Sequence, residues 1–513
     1  MDAAAAATMD PAPLPTMEVL LDRCVMVINE LREIMKETGC PSMDETMESV
    51  VQALPDCSSW QERERLEQAA IEAEIERYTA EVEAPAYALL RERKASRPSA
   101  VRKEPVVIVD DDAAAAFYRE VLDGVEPYFP QLAAAAAPAV TSLSLRVALP
   151  PNHPMLHCAL TAVIASSDAG FLALYVGPYR PGYPGPGFYL VYNTCANSVA
   201  IVPPLPASSV FFRSHCHVGP GVAVVRHGDG KYLLTELLFR KDSKTGLVTN
   251  NASLFLWWPA GPLAGRWTRK DVVLPLPTTH FRGDVVFAAG NLICWVDLLT
   301  GILVCEGLAA GAADDGPVFR FIPLPKECIV EPIAERGQPE EYRSMCCINT
   351  HTFKFVSLDG YSQGRPISEV ILRTWTLDIH QREDFQWSCE ASFSIKELWN
   401  DPIYNNDLKL EPLMPSNPII SEEHDCVCLL VLNYKYRNEI VEATGPYHLS
   451  LDMGSQRITS AFKFPSPATG RIKYPRVFAT YIGWSSHKQL HKILQEMVGA
   501  YEHGTKVMLK CFR

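Results

Sequence analysis

Three short groups of histidine and cysteine contain residue types that bind metal ions. Residues 215–217 (His-Cys-His) would place two imidazoles on one face of a strand, which is half of a metal site. Residues 424–428 (His-Asp-Cys-Val-Cys) could place three soft ligands on one strand face, and His487 and His491 lie one helical turn apart. No third or fourth ligand is identifiable near the first group, and Lys488 stands where the zincin pattern has glutamate. We therefore favour chance placement, core packing of the cysteines and a solvated helix face, with no metal site.

Motifs for nucleophilic catalysis and for phosphate binding are absent from the sequence. It contains neither a Gly-x-Ser-x-Gly elbow nor a GxxxxGK[ST] loop. The glycines of residues 182–187 are interleaved with proline, which lacks the N–H group that would bind phosphate. The acidic pairs Asp314-Asp315 and Glu422-Glu423 fall in predicted loops and are most simply solvated charge. We predict no catalytic residue and no cofactor.

Trp257 and Trp258 are adjacent tryptophans in a predicted strand. Neighbouring residues in a strand point to opposite faces of the sheet. One interpretation buries both rings between packed sheets, and the other leaves one ring on a partner-binding surface. The first is favoured.

The composition is that of a globular protein, and its negative charge is concentrated near the amino terminus. The 513 residues are 48% hydrophobic and 21% charged, enough for a large core and more than one domain. Residues 1–100 hold 20 acidic and 10 basic side chains, and so carry −10 of the net charge of −13. Neither part has the excess of Lys and Arg that phosphate contacts need, so nucleic-acid binding is disfavoured.

The 15 cysteines are scattered without CxxC pairs, which indicates reduced thiols rather than a disulfide framework. Most would be small buried hydrophobes, such as Cys294 and Cys305 in apolar strands. Residues 1–15 fit neither a secretory signal nor a transit segment, and no stretch reaches the roughly 18 apolar residues of a membrane span. We predict a soluble, intracellular protein, cytoplasmic or nuclear.

The first 95 residues are predicted to form an acidic helical segment. Apolar residues at steps of three and four predict an amphipathic helix over residues 17–37, which Gly39 and Pro41 end. Two capping boxes, at residues 42–45 and 59–62, open the next two helices, the second reaching about residue 83.

The second of these helices has coiled-coil spacing. Its apolar positions alternate four-three-four at Ile71, Ile75, Tyr78 and Val82. Two heptads are compatible with a helical hairpin folded on itself and with a dimerisation helix. Self-packing is favoured.

Three further regions follow this segment. Residues 96–140 form an Ala- and Pro-rich linker zone with alanine tracts at 113–116 and 133–137. Residues 141–482 contain about fifteen short strands separated by Gly, Pro, Asn and Asp, without intervening helices. Residues 483–513 are predicted to be a C-terminal capping helix and tail.

The strands of residues 141–482 recur in groups that end in a Leu-Pro phrase. The leucines of these phrases are Leu205, Leu276 and Leu324, and the last two lie 48 residues apart. A repeat of 40–50 residues with three or four strands is typical of a β-propeller blade, because one small sheet cannot bury both faces alone. We predict a mostly β, propeller-like body of about six blades. A two-sheet sandwich is the competing arrangement.

Residues 292–303 (LICWVDLLTGIL) followed by 319–325 (FRFIPLP) resemble a plant family numbered 1618 among the domains of unknown function. The resemblance spans roughly residues 141–465 and is centred on 285–430. It is also carried by further phrases: 189–192 with 197–206, 232–238, 375–377 with Trp387, and 398–399. The resemblance implies a plant origin, a propeller-like fold similar to F-box-associated domains, no established activity and no catalytic residue.

The sequence favours binding over catalysis. The leading hypothesis is a non-enzymatic protein-interaction module, in which the propeller surface recognises a protein partner and the acidic helices dimerise or recruit another. One alternative is an enzyme with its site in the central channel, built from side chains far apart in sequence. Converging His, Asp, Glu or Arg side chains would support that enzyme, whereas an apolar channel would not. The other alternative is a divergent F-box-like adaptor, suggested by Leu14-Pro15 before apolar helix positions.

Overall fold

The structure is a computed structural model. It describes the following residues: 16–41, 43–54, 59–97, 101–109, 111–129, 139–177, 187–206, 215–216, 221–228, 231–242, 244–277, 280–308, 316–330, 337–361, 365–379, 385–421, 426–437, 440–463 and 477–483. Within these ranges the protein is mostly β, with a helical segment near the amino terminus. None of the helices in the described ranges is long and apolar enough to cross a bilayer.

Seven α-helices are described. They are α1 (Glu30–Glu37), α2 (Met43–Gln52), α3 (Trp60–Tyr78), α4 (Ala84–Ser96), α5 (Asp112–Gly124), α6 (Leu156–Ala159) and α7 (Ile395–Asn400). A π-helical turn, Thr79–Glu83, joins α3 to α4, and a second, Ile403–Leu408, follows α7.

The described strands number 26, and several run longer than the apolar patterns that predicted them. They are β1 (Thr16–Asn29), β2 (Arg102–Lys103), β3 (Val125–Tyr128), β4 (Ala139–Val147), β5 (Ala162–Asp168), β6 (Phe171–Val176), β7 (Phe188–Asn193), β8 (Ser198–Val202), β9 (His215–Cys216), β10 (Val222–His227), β11 (Lys231–Lys241), β12 (Val248–Trp257), β13 (Trp267–Val273), β14 (Val285–Ala289), β15 (Leu292–Asp297), β16 (Gly301–Glu306), β17 (Val318–Pro323), β18 (Arg343–Cys347), β19 (Thr352–Asp359), β20 (Ile371–Asp378), β21 (Ser388–Ser394), β22 (Pro415–Ser421), β23 (Cys426–Arg437), β24 (Ile440–Asp452), β25 (Arg457–Lys463) and β26 (Val477–Gly483). Every segment predicted to be extended overlaps one of these strands.

The strands form five sheets, which we number 1 to 5 in chain order. Sheet 1 has the order β2-β8-β7-β6-β5-β1-β4-β3, with β26 paired to β1. Sheet 2 is β10-β11-β12-β13 with β9 on β11, and sheets 3, 4 and 5 are β14–β17, β18–β21 and β22–β25. Sheets 2 to 5 are antiparallel, and from β10 to β25 the strands of each sheet lie in the order in which they occur in the chain. Among the described strands no sheet closes on itself, and they do not form the two facing sheets of a sandwich.

The apolar residues of neighbouring sheets pack against each other. Trp257 lies in a cluster shared by sheets 1 and 2, Trp295 in one shared by sheets 2 and 3, and Phe355 in one shared by sheets 3 and 4. A further cluster contains Leu372 of sheet 4 and Leu429 of sheet 5. Burial of each such side chain stabilises the fold by about 2 kcal/mol, so the clusters hold successive sheets face to face.

The predicted helix over residues 17–37 is wrong for most of its length. Residues 16–29 form β1, and only Glu30–Glu37 is helical. β1 runs antiparallel to β26 and parallel to β4, so its backbone groups bond to two neighbours instead of within a helix. Val25 is buried and Met26 is exposed, which is the alternation of a strand. Tertiary pairing and a run of β-branched residues therefore override the helical pattern.

Two predicted helix boundaries are confirmed. Gly39 follows α1 with φ = 70°, the left-handed conformation that glycine adopts without steric cost. Ser59 caps α3, because its side chain accepts a hydrogen bond from Glu62 N at 3.2 Å. The side chain of Tyr78, at the end of α3, is buried and donates to the carbonyl oxygen of Pro41, so α3 packs on the chain before α2.

Residues 101–129 lie inside the predicted linker zone but form β2, α5 and β3. The first alanine tract, 113–116, makes the first turn of α5, which Asp111 caps by accepting from Ala114 N. Val121 and Leu122 of α5 are fully buried against sheet 1. This part of the zone therefore belongs to the packed body, whereas the second alanine tract and the predicted C-terminal helix lie outside the described residues.

Candidate functional site

A cavity of about 70 Å³ lies where the first strands of several sheets meet. Its lining comes from β5, β14, β18 and β22, with one residue of β1. The lining residues are Arg23, Ala165, Ser166, Ser167, Val285, Val286, Phe287, Ser344, Met345, Cys346, Ile419 and Ile420. An enzyme built from side chains far apart in sequence would need a site of this kind, to which residues between 23 and 420 contribute.

Bulges shape two walls of the cavity. The register of β5 shifts between Ile164 and Ser166, and that of β22 shifts between Ser416 and Ile419. In β22 the shift coincides with Asn417, whose φ is 49°. A bulge changes the face to which the following side chains point, which is why bulges are frequent beside functional sites.

The lining is apolar except for three hydroxyl groups, one thiol and one guanidinium group. Among the described residues around the cavity there is no carboxylate and no imidazole. Ser166 is nearly buried, and its Oγ accepts a hydrogen bond from Val224 N of β10 at 2.9 Å, which links sheets 1 and 2. General acid–base chemistry needs a titrating pair such as a carboxylate and an imidazole, and the described part of the lining contains neither group.

The histidine and cysteine groups are only partly described. His215 and Cys216 form β9, whose backbone pairs with β11, while His217, His424 and Asp425, like His487 and His491, lie outside the described residues. Cys426 and Cys428 of β23 are buried in sheet 5, with 5% and 1% of their surfaces exposed. Their predicted core packing is confirmed.

The two adjacent tryptophans pack on opposite faces of sheet 2. Trp257 is 2% exposed and belongs to the cluster between sheets 1 and 2. Trp258 is half-buried, packs against the cluster between sheets 2 and 3, and makes an edge contact with the ring of His227. Core packing is therefore confirmed for Trp257, and Trp258 fills the gap towards the next sheet.

Asp297, within the phrase LICWVDLLTGIL, holds two loops together. Its side chain is fully buried and accepts from the backbone N–H groups of Leu299 and Thr300 in its own turn, at 2.9 and 3.2 Å. The other carboxylate oxygen accepts from Arg282 N at 2.9 Å. Asp284 completes the arrangement by accepting from Leu298 N. The role of Asp297 was not predicted from the sequence, although an Asp followed by a tight turn is the pattern of an Asx turn.

The same turn is fastened to sheet 4 by a buried arginine. Arg343 is 6% exposed, donates to the carbonyl oxygen of Leu298 at 2.8 Å and lies near the rings of Tyr342 and Phe355. Burial lowers the pKa of its guanidinium group. An arginine can remain charged under these conditions because the guanidinium group is the most basic of the side chains. The turn within this phrase therefore has a structural role, because it connects sheet 3 to sheet 4.

Hydrogen bonds between tryptophan and proline link the outer strands of two sheet pairs. Trp267 of β13 donates to the carbonyl oxygen of Pro203 after β8, and Trp387 before β21 donates to that of Pro323 at the end of β17, both at 2.9 Å. The donor and the acceptor are 64 residues apart in both cases. The same contact therefore recurs between the outer strand of one sheet and the outer strand of the next. The leucines of the three Leu-Pro phrases, which follow β8, β13 and β17, are all buried.

A charged cluster joins the helical layer to sheet 1. Arg97 pairs with Glu30 of α1 and Glu126 of β3, at 3.1 and 3.3 Å. Lys103 of β2 donates to the carbonyl oxygen of Val125, and burial lowers the pKa of its ammonium group to about 8. Perturbed lysines also occur at catalytic sites, but here the ammonium group satisfies a backbone carbonyl beside Glu126.

Helix α3 presents two large apolar side chains to solvent. Trp60 is 71% exposed at the start of α3, and Ile75 is 44% exposed near its end. Only Glu74 and Tyr78 of this helix are buried. A tryptophan with this exposure is unusual for a residue that normally contributes to a core.

The structural comparisons return distant glycoside hydrolases. A GH43 β-1,3-galactosidase is 8% identical, with a TM-score of 0.28 over 59% of this chain and 60% of that one, so this chain spans less than two thirds of its length. A family 117 glycoside hydrolase from the marine bacterium Zobellia galactanivorans is 11% identical, with a TM-score of 0.26 over 54% and 79%. A GH43 endo-arabinanase from Bacillus licheniformis is 10% identical, with a TM-score of 0.22 over 57% and 96%. At these scores the likenesses carry no argument about activity.

The sequence comparisons are more informative about the family. No curated protein matches the chain at a significant level. Residues 295–428 match the sequence model of the family described as "Protein of unknown function (DUF1618)", which confirms the resemblance seen in the sequence for this part of the chain.

Proposed function

We propose that this protein is a non-enzymatic interaction protein, in which α3 presents a binding surface for a partner protein and the β body serves as its platform. The exposed Trp60 on α3 is the observation that carries the proposal. Tryptophan is the side chain most enriched among residues that dominate binding energy, and its exposure in an isolated chain costs free energy that a partner would recover.

The exposed residues of α3 form a stripe with mixed character. Trp60, Glu64, Glu67, Ile71 and Ile75 follow one another at steps of three and four residues, which places them along one side of the helix. Trp60, Glu64 and Ile75 are exposed, and the other two are half-buried. The stripe thus offers apolar anchors next to acidic groups.

The chemistry of this stripe favours a particular partner. An amphipathic helix with apolar side chains and flanking Lys or Arg would bury Trp60 and Ile75 while pairing with Glu64 and Glu67. A second copy of α3 would bring further acidic groups to the same interface, where like charges repel. We therefore favour a basic partner protein over a homodimer through the helices.

We also propose that the body is a ring of six small sheets, of four or five strands each, in line with the six blades that the repeat in the sequence predicted. The sixth would be β26-β1-β4-β3, which joins the rest of sheet 1 through a single β1–β5 pairing, Cys24 with Val163. In support, β5, β10, β14, β18 and β22 contact one another in that order, and β26 contacts both β22 and β5. A ring of this kind would present the loops between sheets as a broad platform.

The two alternative functions have less support. The cavity at the meeting point of the first strands offers, in its described lining, no acid–base pair for an enzyme. The F-box-like adaptor rested on apolar helix positions after Leu14-Pro15. Because residues 16–29 form β1, that pattern is not helical and the alternative loses its basis.

The test is affinity capture from an extract of the source cells, followed by reconstitution with the purified partner. Full-length protein is compared with the double variant Trp60→Ala/Ile75→Ala and with Gln61→Ala, a matched change at an exposed position of the same helix. We expect a partner that binds the native chain and Gln61→Ala equally and the double variant at least about tenfold more weakly. Equal affinity for all three proteins would overturn the assignment of this surface.

The mass of the protein in solution shows whether α3 binds a second copy of the chain instead of a different protein. Light scattering during size-exclusion chromatography would show a dimer that dissociates in the double variant if α3 pairs with itself. A monomer for both proteins agrees with a heterologous partner. A dimer lost only in the double variant would instead replace the proposed partner by a second copy of the chain.

A further inference from the structure

We infer that a groove between α4 and α5 binds a free α-amino acid with an apolar side chain, in its zwitterionic form. Arg119 binds the carboxylate of this ligand, and Glu120 and Asp123 bind its ammonium group. The groove contains none of the residues of the stripe on α3, and a small ligand does not follow from a protein-interaction role. The inference therefore goes beyond the proposed function and can fail independently of it.

Two helices and the chain after β4 form the groove. Helix α4 contributes Tyr87 and Lys94, which lie two turns apart on one side of the helix. Helix α5 contributes Arg119, Glu120 and Asp123 from the opposite wall. The groove has a volume of about 340 Å³, which is within the range of small-molecule sites, roughly 300 to 1,000 Å³. It is large enough for a free amino acid.

The charged groups of the lining have both signs and are available to a ligand. Arg119 and Lys94 are basic and Glu120 and Asp123 are acidic, so the lining has no net charge. Within the described part of the chain, the side chains of Arg119, Glu120 and Asp123 form no hydrogen bond or ion pair. The ammonium group of Lys94 donates to the carbonyl oxygen of Asp123 and keeps two further N–H donors. A ligand with one positive and one negative charge complements such a lining better than a simple anion or cation.

Both acidic side chains act on groups of the opposite wall. Burial raises the pKa of the Tyr87 hydroxyl, and the negative charge of Glu120 raises it further. Burial lowers the pKa of Lys94, and the charges of Glu30 and Asp123 oppose that change. Because Tyr87 and Lys94 belong to α4, the carboxylates of α5 lie close enough to both to share a ligand with them.

The end of α5 favours a cation. Its last turn contains Asp123 and no basic residue, and Glu120 directly precedes that turn. The free carbonyl groups at the carboxyl end of a helix carry partial negative charge, so acidic side chains there are destabilising and a cation is stabilising. An ammonium group beside Asp123 relieves this repulsion. Arg119 lies one turn earlier on the same helix, where its planar fork of N–H donors can bind both carboxylate oxygens of the same ligand.

The floor of the groove is apolar. Ala148 and Leu149 are buried beneath it, and Ala116 and Pro150 lie at its sides. The ring of Tyr87 is half-buried in the wall above them. An aliphatic or aromatic side chain of the ligand would remove this surface from water, which is favourable. For this reason we expect an amino acid such as leucine or phenylalanine.

The experiment titrates the full-length protein with L-leucine and with L-phenylalanine by isothermal titration calorimetry at constant ionic strength. We expect saturable binding of at least one of them at one site per chain. Analogues that lack the ammonium group (4-methylpentanoate, 3-phenylpropionate) or the carboxylate (isoamylamine, phenethylamine) should bind at least about tenfold more weakly. No saturable binding of either amino acid, or equal binding of an analogue with one charge, would overturn the inference, whatever the outcome for α3.

Variants then assign the binding to the groove. Arg119→Gln and Asp123→Asn are each expected to weaken binding by about fivefold or more. Both side chains are exposed, so both variants should fold. Arg93→Gln is the control, because it removes the same charge from α4 at an exposed arginine that pairs with Glu37 and does not line the groove. Unchanged affinity in Arg119→Gln and Asp123→Asn, or equal weakening in all three variants, would refute the location.

Discussion

His448 should make the stability of this protein depend on pH between 7 and 5. The residue lies in β24, at the centre of sheet 5, and only 1% of its surface is exposed. Burial disfavours the charged imidazolium and lowers the pKa of His448 from 6.5 to about 4. The folded protein therefore holds the imidazole neutral at a pH at which the unfolded chain would already protonate it.

The sign and size of the effect follow from this difference in pKa. Between pH 4 and pH 6.5 the unfolded chain binds more protons than the folded protein, so stability rises with pH. The contribution is fully present above the unfolded pKa and is lost as the pH falls towards 4. From pH 7 to pH 5 the loss is about 2 kcal/mol, out of a total of about 3 kcal/mol at lower pH.

Urea unfolding at pH 7, 6 and 5 provides the assay, with the native chain compared with His448→Phe. The phenyl ring fills a similar volume and cannot be protonated. Between pH 7 and pH 5 the free energy of unfolding of the variant should therefore fall by about 2 kcal/mol less than that of the native chain. His351→Gln, at an exposed position, should keep the native dependence. Identical pH dependence for the native chain and His448→Phe would refute the reasoning.

Three further predictions concern two kinds of contact between sheets and the reactivity of the cysteine thiols. Asp297→Ala should destabilise the fold by about 3 kcal/mol in urea unfolding, because it leaves buried backbone N–H groups without their acceptor; a loss below about 1 kcal/mol would contradict this role. Trp267→Phe and Trp387→Phe should each lower the free energy of unfolding by about 1 kcal/mol, since each removes one hydrogen bond between sheets. Additive losses in the double variant would show that the two hydrogen bonds act independently. Iodoacetamide should modify the exposed Cys389 in the native protein and spare Cys294, whose pKa burial raises well above 9; mass spectrometry of tryptic peptides reads the result, and equal labelling would disprove it.

The inner strands could be predicted from sequence because burial on both faces leaves apolar runs. β6 and β15 are of this kind, with nearly every residue buried. The outer strands do not have this pattern. β13 (WTRKDVV) has three charged residues at its centre and no buried residue, and β21 is largely exposed, so neither stood out from a loop. In β22, two prolines within seven residues concealed a buried strand.

The candidate site could not be predicted, because the contacts that create it join distant parts of the chain. Arg23 falls inside the predicted helix, whereas in the structure it belongs to β1 and lines the cavity. The other lining residues come from four strands between positions 165 and 420. Asp297 was more accessible to sequence reasoning, since its turn partners are the next residues. A local pattern can therefore predict a turn, but a cavity between strands requires the register of pairings across hundreds of residues.

The pairing of β1 with β26 imposes an order on biosynthesis. Thr16 lies opposite Gly483, so β1 leaves the ribosome long before the strand that covers one of its edges has been made. Until then β1 has a bare edge open to non-native partners, and the chain needs either rapid completion or protection by a chaperone. A chain that ends before β26 could form sheets 2 to 5 but would still expose that edge of β1.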